Sequence, residues 1–129
     1  VVTQSLVEVT VLAQRSGVSR EAFLKYLNSS VMGSTFTKYK SPQLVNRDYQ
    51  ATFTAHLLRK DFDLGLAAAH DLGVPLPLAA LVQQVIVGLI GQGHGEEDFA
   101  ALLELEAQNA GLSLRSENAA VPDGLEPAP

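Results

Sequence analysis

Apolar residues recur every three or four positions along most of this chain, which is the spacing of amphipathic helices. The longest such pattern covers residues 53–73, where two neighbouring apolar stripes form one broad face. Thr52 or Thr54 can cap the start of this helix, and Gly73 can cap its end. The stripes consist of Leu57, Leu58, Phe62, Leu64, Leu66, Ala67 and Ala69. We therefore predict a long helix that is buried in the core.

One cation interrupts this apolar face. Lys60 lies three residues after Leu57 and four before Leu64, so its aliphatic stem must run along apolar surface. Its ammonium can extend to solvent, which is the commoner arrangement, or it can face a carboxylate or ligand at a site. The spacing predicts a cation against the core but leaves both alternatives open.

Shorter helices precede this one. Residues 1–15 alternate valines as a strand does but also place apolar residues at helical spacing, and we choose the helix. Ser19 is a good N-cap for a second helix that reaches Asn28. A third helix is predicted over residues 35–40, because Pro42 disfavours the α conformation in the residue before it. No capping signal precedes Val1, so we expect the chain to be a piece of a longer protein.

Two further helices are predicted in the second half of the chain. Pro77 suits the first turn of a helix whose wide apolar face, up to Ile90, we expect to be central to the core. Glycines at 93 and 95 interrupt the pattern. Three carboxylates, at residues 96–98, then stand at the start of a last helix, where the helix dipole favours negative charge.

The composition indicates one folded domain. The chain has 129 residues, of which 47% are hydrophobic and 18% charged, and this is enough to bury a core. We predict an all-α domain over residues 1–111. Residues 112–129 contain three prolines and few large apolar side chains, so we predict a disordered tail there.

The charge pattern and the missing motifs exclude several functions. Eight basic and three acidic residues precede Asp61, yet the basic residues form no tight cluster with interleaved aromatics, so we expect no nucleic-acid partner. The chain has no cysteine, and His56 and His70 would stand ~21 Å apart on one helix, so we expect no metal. No apolar run spans a bilayer and no signal peptide opens the chain, so we expect a cytoplasmic location.

Three sequence words carry a resemblance to a known family. Phe53 is followed seven residues later by Lys60-Asp61 and then by an L-x-L-A pattern; residues 72–78 read LGVPLPL, and residues 93–99 read GHGEEDF. In this order and spacing they resemble the β-hydroxyacid dehydrogenases, which include 3-hydroxyisobutyrate dehydrogenase, tartronate semialdehyde reductase and relatives of 6-phosphogluconate dehydrogenase. The resemblance covers the chain to about Ala110 and is confined to the all-α carboxy-terminal domain of that family.

The resemblance implies a parent enzyme that transfers a hydride between NAD or NADP and a small hydroxy acid. It also implies that the Rossmann domain and the catalytic lysine, in a GxxxKxxN motif, lie upstream of Val1, so that this chain alone is inactive. By the same resemblance, Phe53 packs near the nicotinamide and Lys60 approaches polar groups of cofactor or substrate. Asp61 lies near the catalytic ammonium. The partners implied are the substrate, the chain's own Rossmann domain and a second copy in a homo-oligomer.

Each implied role has a structural alternative. Phe53 can be a core residue, and Asp61 can be a solvated partner of a nearby base such as Arg59. For the whole chain, the alternative is a non-catalytic helical module for dimerisation or interaction.

Overall fold

The computed structural model of the protein describes residues 1–127, and they form an all-α fold, as predicted. Among these residues there is no β-strand, and no helix combines the length and apolar character needed to cross a membrane. Ala128 and Pro129, which belong to the predicted tail, lie outside the described residues. The α-helices are α1 (Val2–Arg15), α2 (Arg20–Asn28), α3 (Thr35–Asn46), α4 (Ala55–Leu72), α5 (Pro77–Leu89) and α6 (Leu102–Asn109).

The chain divides into two compact units. Unit 1 comprises Val1–Gln4 and Tyr49–Leu102, and unit 2 comprises Ser5–Asp48 together with residues 103–127. In unit 1, α4 packs against α5, and a π-type turn over Ile90–His94 and a 3-10 turn over Phe99–Ala101 follow. Its buried apolar residues are Ala55, Ala69, Val82, Ile86, Leu89, Phe99, Ala100, Ala101 and Leu102.

The ends of α4 and α5 agree with the predicted capping. The Thr54 side chain accepts a hydrogen bond from the Leu57 amide, and Gly73 closes α4 in the left-handed conformation with φ 69°. Pro77 occupies the first turn of α5, where its missing N–H costs nothing because the first amides of a helix have no partner within it. Local sequence signals therefore determine both ends of α4 and the start of α5.

The prediction that α4 is buried is wrong. Only Ala55 and Ala69 of this helix are buried, and Leu64 and Leu72 are 64% and 78% exposed. Lys60 is exposed as well, so it is not a cation held in the core. The apolar face of α5 is similarly incomplete, because Leu78 and Leu81 are exposed while Val82, Ile86 and Leu89 are buried. Within unit 1, the two helices carry more apolar surface than they cover in each other.

Unit 2 contains most of α1 together with α2, α3 and α6. Its core is formed by Leu6, Val7, Val11, Leu24, Leu44, Val45, Leu103, Ala107 and Leu114. The helical interpretation of residues 1–15 is confirmed. Ser19 caps α2 as predicted, because its hydroxyl accepts a hydrogen bond from the Ala22 amide at 3.1 Å.

Helix α3 continues through Pro42 to Asn46, so the prediction that it ends near Lys40 is wrong. Proline inside a helix removes one backbone hydrogen bond and costs about 3 kcal/mol. That cost is offset by residues of the last turn, since Leu44 and Val45 are fully buried. The carbonyls of both residues also accept hydrogen bonds from the Arg20 side chain, at 2.8 and 2.7 Å.

Arg20 is the fully buried cation around which unit 2 is assembled. Besides the two α3 carbonyls, its guanidinium donates to the Gln14 side chain and to the Arg115 carbonyl. The Glu117 carboxylate lies 3.8 Å from Arg20 Nη1 and also accepts from the Arg20 backbone amide at 2.9 Å. Segments far apart in sequence thus meet at one planar guanidinium, whose five N–H donors suit such a role.

Residues 112–127, predicted as a disordered tail, form an extended segment along unit 2. Leu114 is buried in the core, and the Glu117 carboxylate accepts from the first amides of α2. The Ala119 backbone exchanges two hydrogen bonds with the Asn46 side chain, at 2.9 and 3.0 Å. Composition did not indicate these contacts because, apart from Leu114, they depend on polar groups rather than on large apolar residues. We call residues 112–127 the carboxy-terminal segment.

Candidate cofactor-facing site

Phe53 lies just before the start of α4, where it packs edge-on against Phe99. The two ring centroids are 6.0 Å apart and the planes are almost perpendicular, at 87°. The Phe99 amide also donates to the Phe53 carbonyl at 3.1 Å. Phe53 is only partly buried, whereas Phe99 is buried. Its ring therefore combines a structural contact with a partly accessible apolar surface.

Asp98 holds the Phe53 backbone in place. One oxygen of this fully buried carboxylate accepts from the Thr52 amide, the Thr52 hydroxyl and the Phe53 amide at 2.9–3.1 Å. The other oxygen accepts from the Ala100 amide at 2.9 Å and caps the 3-10 turn. Sequence reasoning assigned Asp98 only to helix-dipole complementarity. The signal that could have identified it is the N-cap position of an Asp directly before the apolar run Phe99–Leu103.

The turn that contains Gly95 supports the start of α4. The Ala55 and His56 amides, which have no partner inside the helix, donate to the carbonyls of Glu97 and Gly95 at 3.0 and 3.1 Å. A Cβ added at Gly95 would lie 2.3 Å from the His56 ring, so a side chain at this position would require that ring to move aside. The structure thus brings Phe53, from the first sequence word, against the third word, GHGEEDF.

Lys60 and Asp61 occupy a different part of α4. Lys60 lies about 8 Å along the helix axis from Ala55, and both charged residues are exposed. Asp61 borders an apolar groove of about 240 Å³, which is lined by Leu58, Phe62, Gly65, Leu66, Leu76 and Ala79. Consecutive helix residues point ~100° apart, so the two side chains present their charges in different directions.

Neither charge is neutralised within the described part of the chain. The ion pairs there include none to Lys60 or Asp61, and Arg59 instead approaches Asp63 at 3.8 Å. Asp63 also accepts a hydrogen bond from Gln83 on α5 at 2.9 Å. The structural alternative for Asp61, a pairing with Arg59, is therefore not the arrangement seen. Within residues 1–127, the buried cations are Arg20 and Lys40, both of which sequence reasoning missed.

Within residues 1–127, no three His, Asp or Glu side chains are arranged to hold a metal ion. His94 lies 3.0 Å from Glu97, and His56 lies 3.7 Å from Glu96, as separate pairs. The third carboxylate of the acidic run, Asp98, is saturated by the hydrogen bonds described above.

Comparison with solved structures supports the fold. The chain superposes on the crystal structure of 3-hydroxyisobutyrate dehydrogenase from Salmonella typhimurium with a TM-score of 0.75 at 23% sequence identity, covering 80% of this chain and 36% of the other. Among curated proteins, it is 30% identical over 111 residues to 2-(hydroxymethyl)glutarate dehydrogenase of Eubacterium barkeri, covering 85% of this chain and 37% of that protein. It is 30% identical over 101 residues to the mitochondrial 3-hydroxyisobutyrate dehydrogenase of Drosophila melanogaster, covering 73% and 31%.

A family model assigns the domain. Residues 1–105 match the family described as "NAD-binding of NADP-dependent 3-hydroxyisobutyrate dehydrogenase". The chain belongs to this family, which confirms the resemblance drawn from the three sequence words, and the family's description agrees with the predicted nicotinamide cofactor. The chain spans about a third of the length of the curated relatives it matches.

Proposed function

We propose that this chain is the carboxy-terminal helical domain of an NAD- or NADP-dependent 3-hydroxyacid dehydrogenase located in the cytoplasm. The observation that carries the proposal is that a partly exposed aromatic ring, a free ammonium and a free carboxylate lie on or beside one helix that matches the family. In this role, the domain would complete a site formed with an upstream Rossmann domain. The substrate would be a small hydroxy acid or its semialdehyde.

The residues present fit a nicotinamide dinucleotide. Phe53 offers apolar ring surface, and the hydrogen bonds that the Thr52 and Phe53 amides donate to Asp98 fix its position. Lys60 offers an unpaired ammonium suited to a phosphate, an amide oxygen or a substrate carboxylate. Asp61 offers a carboxylate that could orient a lysine supplied by the upstream domain and keep it charged. When bound, the nicotinamide supplies the hydride chemistry, while this chain binds and orients.

The proposal is tested in a protein that carries this domain together with its Rossmann domain. Turnover of a panel of small hydroxy acids is followed by nicotinamide absorbance. We expect Lys60→Ala to lower kcat/KM at least tenfold, because a charged contact to a bound group contributes more than 1.4 kcal/mol when desolvated. The melting temperature should stay within a few degrees, since Lys60 is exposed.

Arg59→Ala is the matched control. It removes a neighbouring exposed cation whose partner is Asp63, and we expect kcat/KM to change less than twofold. Loss of activity in both variants would indicate a general charge effect. A lower melting temperature for Lys60→Ala with unchanged kinetics would assign Lys60 to the structure and contradict the proposal.

We also propose that a second copy of the chain covers the exposed leucines of α4 and α5. The leucines are Leu57, Leu64, Leu72, Leu78 and Leu81, and exposed apolar patches of this kind mark interaction surfaces. Sedimentation should show a dimer that Leu64→Glu dissociates, whereas Leu125→Glu, at an exposed leucine of unit 2, should not. A dimer that also lacks any turnover with its Rossmann domain attached would favour the non-catalytic helical module instead.

A further inference from the structure

Unit 2 contains a cleft that the proposed dehydrogenase role does not use. It has a volume of about 430 Å³ and lies between α2, α3 and residues 120–124 of the carboxy-terminal segment. This volume is within the range of sites for small molecules. The polar lining includes Glu21, Lys25, Asn28, Lys38 and Ser41. The cleft therefore has the size and polarity of a ligand site.

Asn28 lines this cleft and carries a buried hydrogen-bond acceptor that has no partner in the described chain. The Ser41 hydroxyl donates its single hydrogen to the Thr37 carbonyl at 2.7 Å, so its oxygen can only accept from Asn28 Nδ2, at 2.9 Å. This chain of bonds fixes the orientation of the amide. Asn28 Oδ1 is then buried without a hydrogen-bond partner in the described chain. A buried acceptor without a hydrogen bond is destabilising, so the site favours a ligand that donates one.

Two cations lie at the same cleft. Within residues 1–127, no ion pair or side-chain hydrogen bond is formed by Lys25 or Lys38, although both line the cleft. Lys25 is one turn before Asn28 on α2, and Lys38 is one turn before Ser41 on α3, so the cations border the amide from two helices. With Glu21 included, the lining has a net charge of +1 and favours an anion.

The carboxy-terminal segment closes one wall of the cleft. Gly124 adopts φ +73°, and a Cβ added there would lie 2.9 Å from Lys38 Cβ, so the backbone approaches α3 closely. The segment is held in place upstream by the bonds between Ala119 and Asn46. A ligand in the cleft would therefore contact α2 and α3 as well as residues 120–124, and it would restrain the carboxy-terminal segment.

We propose that this cleft binds a small anion that also carries a hydroxyl or ammonium donor. The anionic group lies between Lys25 and Lys38, and the donor satisfies Asn28 Oδ1. Glu21 can accept from a second hydroxyl or ammonium on the same molecule. The inference goes beyond the proposed dehydrogenase function and requires neither a Rossmann domain nor a nicotinamide cofactor.

The test titrates the chain with glycerol 3-phosphate and follows the Asn28 side-chain amide and the Gly124 backbone amide by NMR. We expect saturable shifts of both signals with a Kd of about 1 mM or below. Inorganic phosphate, which lacks the hydroxyl donors, should bind several-fold more weakly, and glycerol, which lacks the anion, should not bind. Ligand should also slow hydrogen exchange in residues 119–124.

The double variant Lys25→Met/Lys38→Met should raise the Kd at least tenfold without lowering the melting temperature, because both lysines are exposed. Arg15→Gln, which removes an exposed cation at the end of α1, is the control and should leave the Kd unchanged. Shifts that never saturate, or an equal Kd in the double variant and the control, would overturn the proposal. Equal binding of phosphate and glycerol 3-phosphate would refute the role of Asn28.

Discussion

The buried carboxylate of Asp98 gives the sharpest test of how unit 1 is assembled. In Asp98→Asn, the side chain keeps its shape but has one acceptor oxygen instead of two. If that oxygen remains with Thr52 and Phe53, the new NH₂ group faces the Ala100 amide, donor against donor. If the amide turns over, three donors lose their acceptor. In either orientation at least one buried N–H is left without a partner.

The loss in free energy of unfolding for Asp98→Asn follows from these bonds. An unpaired buried donor costs about 1–3 kcal/mol, and each bond to a neutral acceptor is weaker than the same bond to a carboxylate by about 1 kcal/mol. With three bonds retained, the free energy of unfolding should fall by about 4–6 kcal/mol. A domain of this size has a total stability of about 5–15 kcal/mol, so the variant should lose a large share of that stability and unfold at a much lower urea concentration.

The assay is urea denaturation followed by far-UV circular dichroism, with hydrogen exchange at Thr52 and Phe53 as a local probe. Glu96→Gln is the matched control, because it removes the same charge from the same turn at a side chain that is 90% exposed. We expect the control to change stability by less than about 0.5 kcal/mol. Equal stabilities of Asp98→Asn and Glu96→Gln would refute the assignment of Asp98 as the anchor of this turn.

Two further predictions concern Arg20 and Gly95. Arg20→Met should lower the free energy of unfolding by about 3–5 kcal/mol in urea denaturation, because it leaves the Leu44 and Val45 carbonyls buried and unpaired. The control Arg15→Met should be near neutral, and similar values for the two variants would contradict the role of Arg20. Gly95→Ala should cost less than about 1 kcal/mol in a thermal melt, because its Cβ meets only the half-exposed His56 ring, which can move aside. A loss of about 3 kcal/mol or more would show that the ring cannot move.

Features that depend on neighbouring residues in sequence were predictable. Ser19, Thr54, Pro77 and Gly73 set helix ends at their own positions, because a cap or a left-handed residue acts within one helical turn. The family words were equally local, and the comparisons confirm the family and the helical fold.

Features that depend on distant partners were not predictable. Pro42 looked like a helix stop because nothing nearby in sequence shows that Arg20 supports the following turn. Arg20 itself looked like an ordinary residue at the start of a helix. The apolar pattern of α4 identified its helical phase but not its exposure, since the period of a pattern does not say what covers it. The roles of Phe53, Lys60 and Asp61 in binding a cofactor stay a prediction.

The arrangement around Arg20 has a practical consequence for anyone who shortens this protein. The family match stops at residue 105, and a cut placed there would look natural from similarity alone. Such a cut would discard Arg115 and Glu117, and with them a carbonyl and the carboxylate that attend a guanidinium with no exposure to water. The truncated product would then have to solvate that cation by opening its own interior, so expression trials should extend the boundary past Ala119.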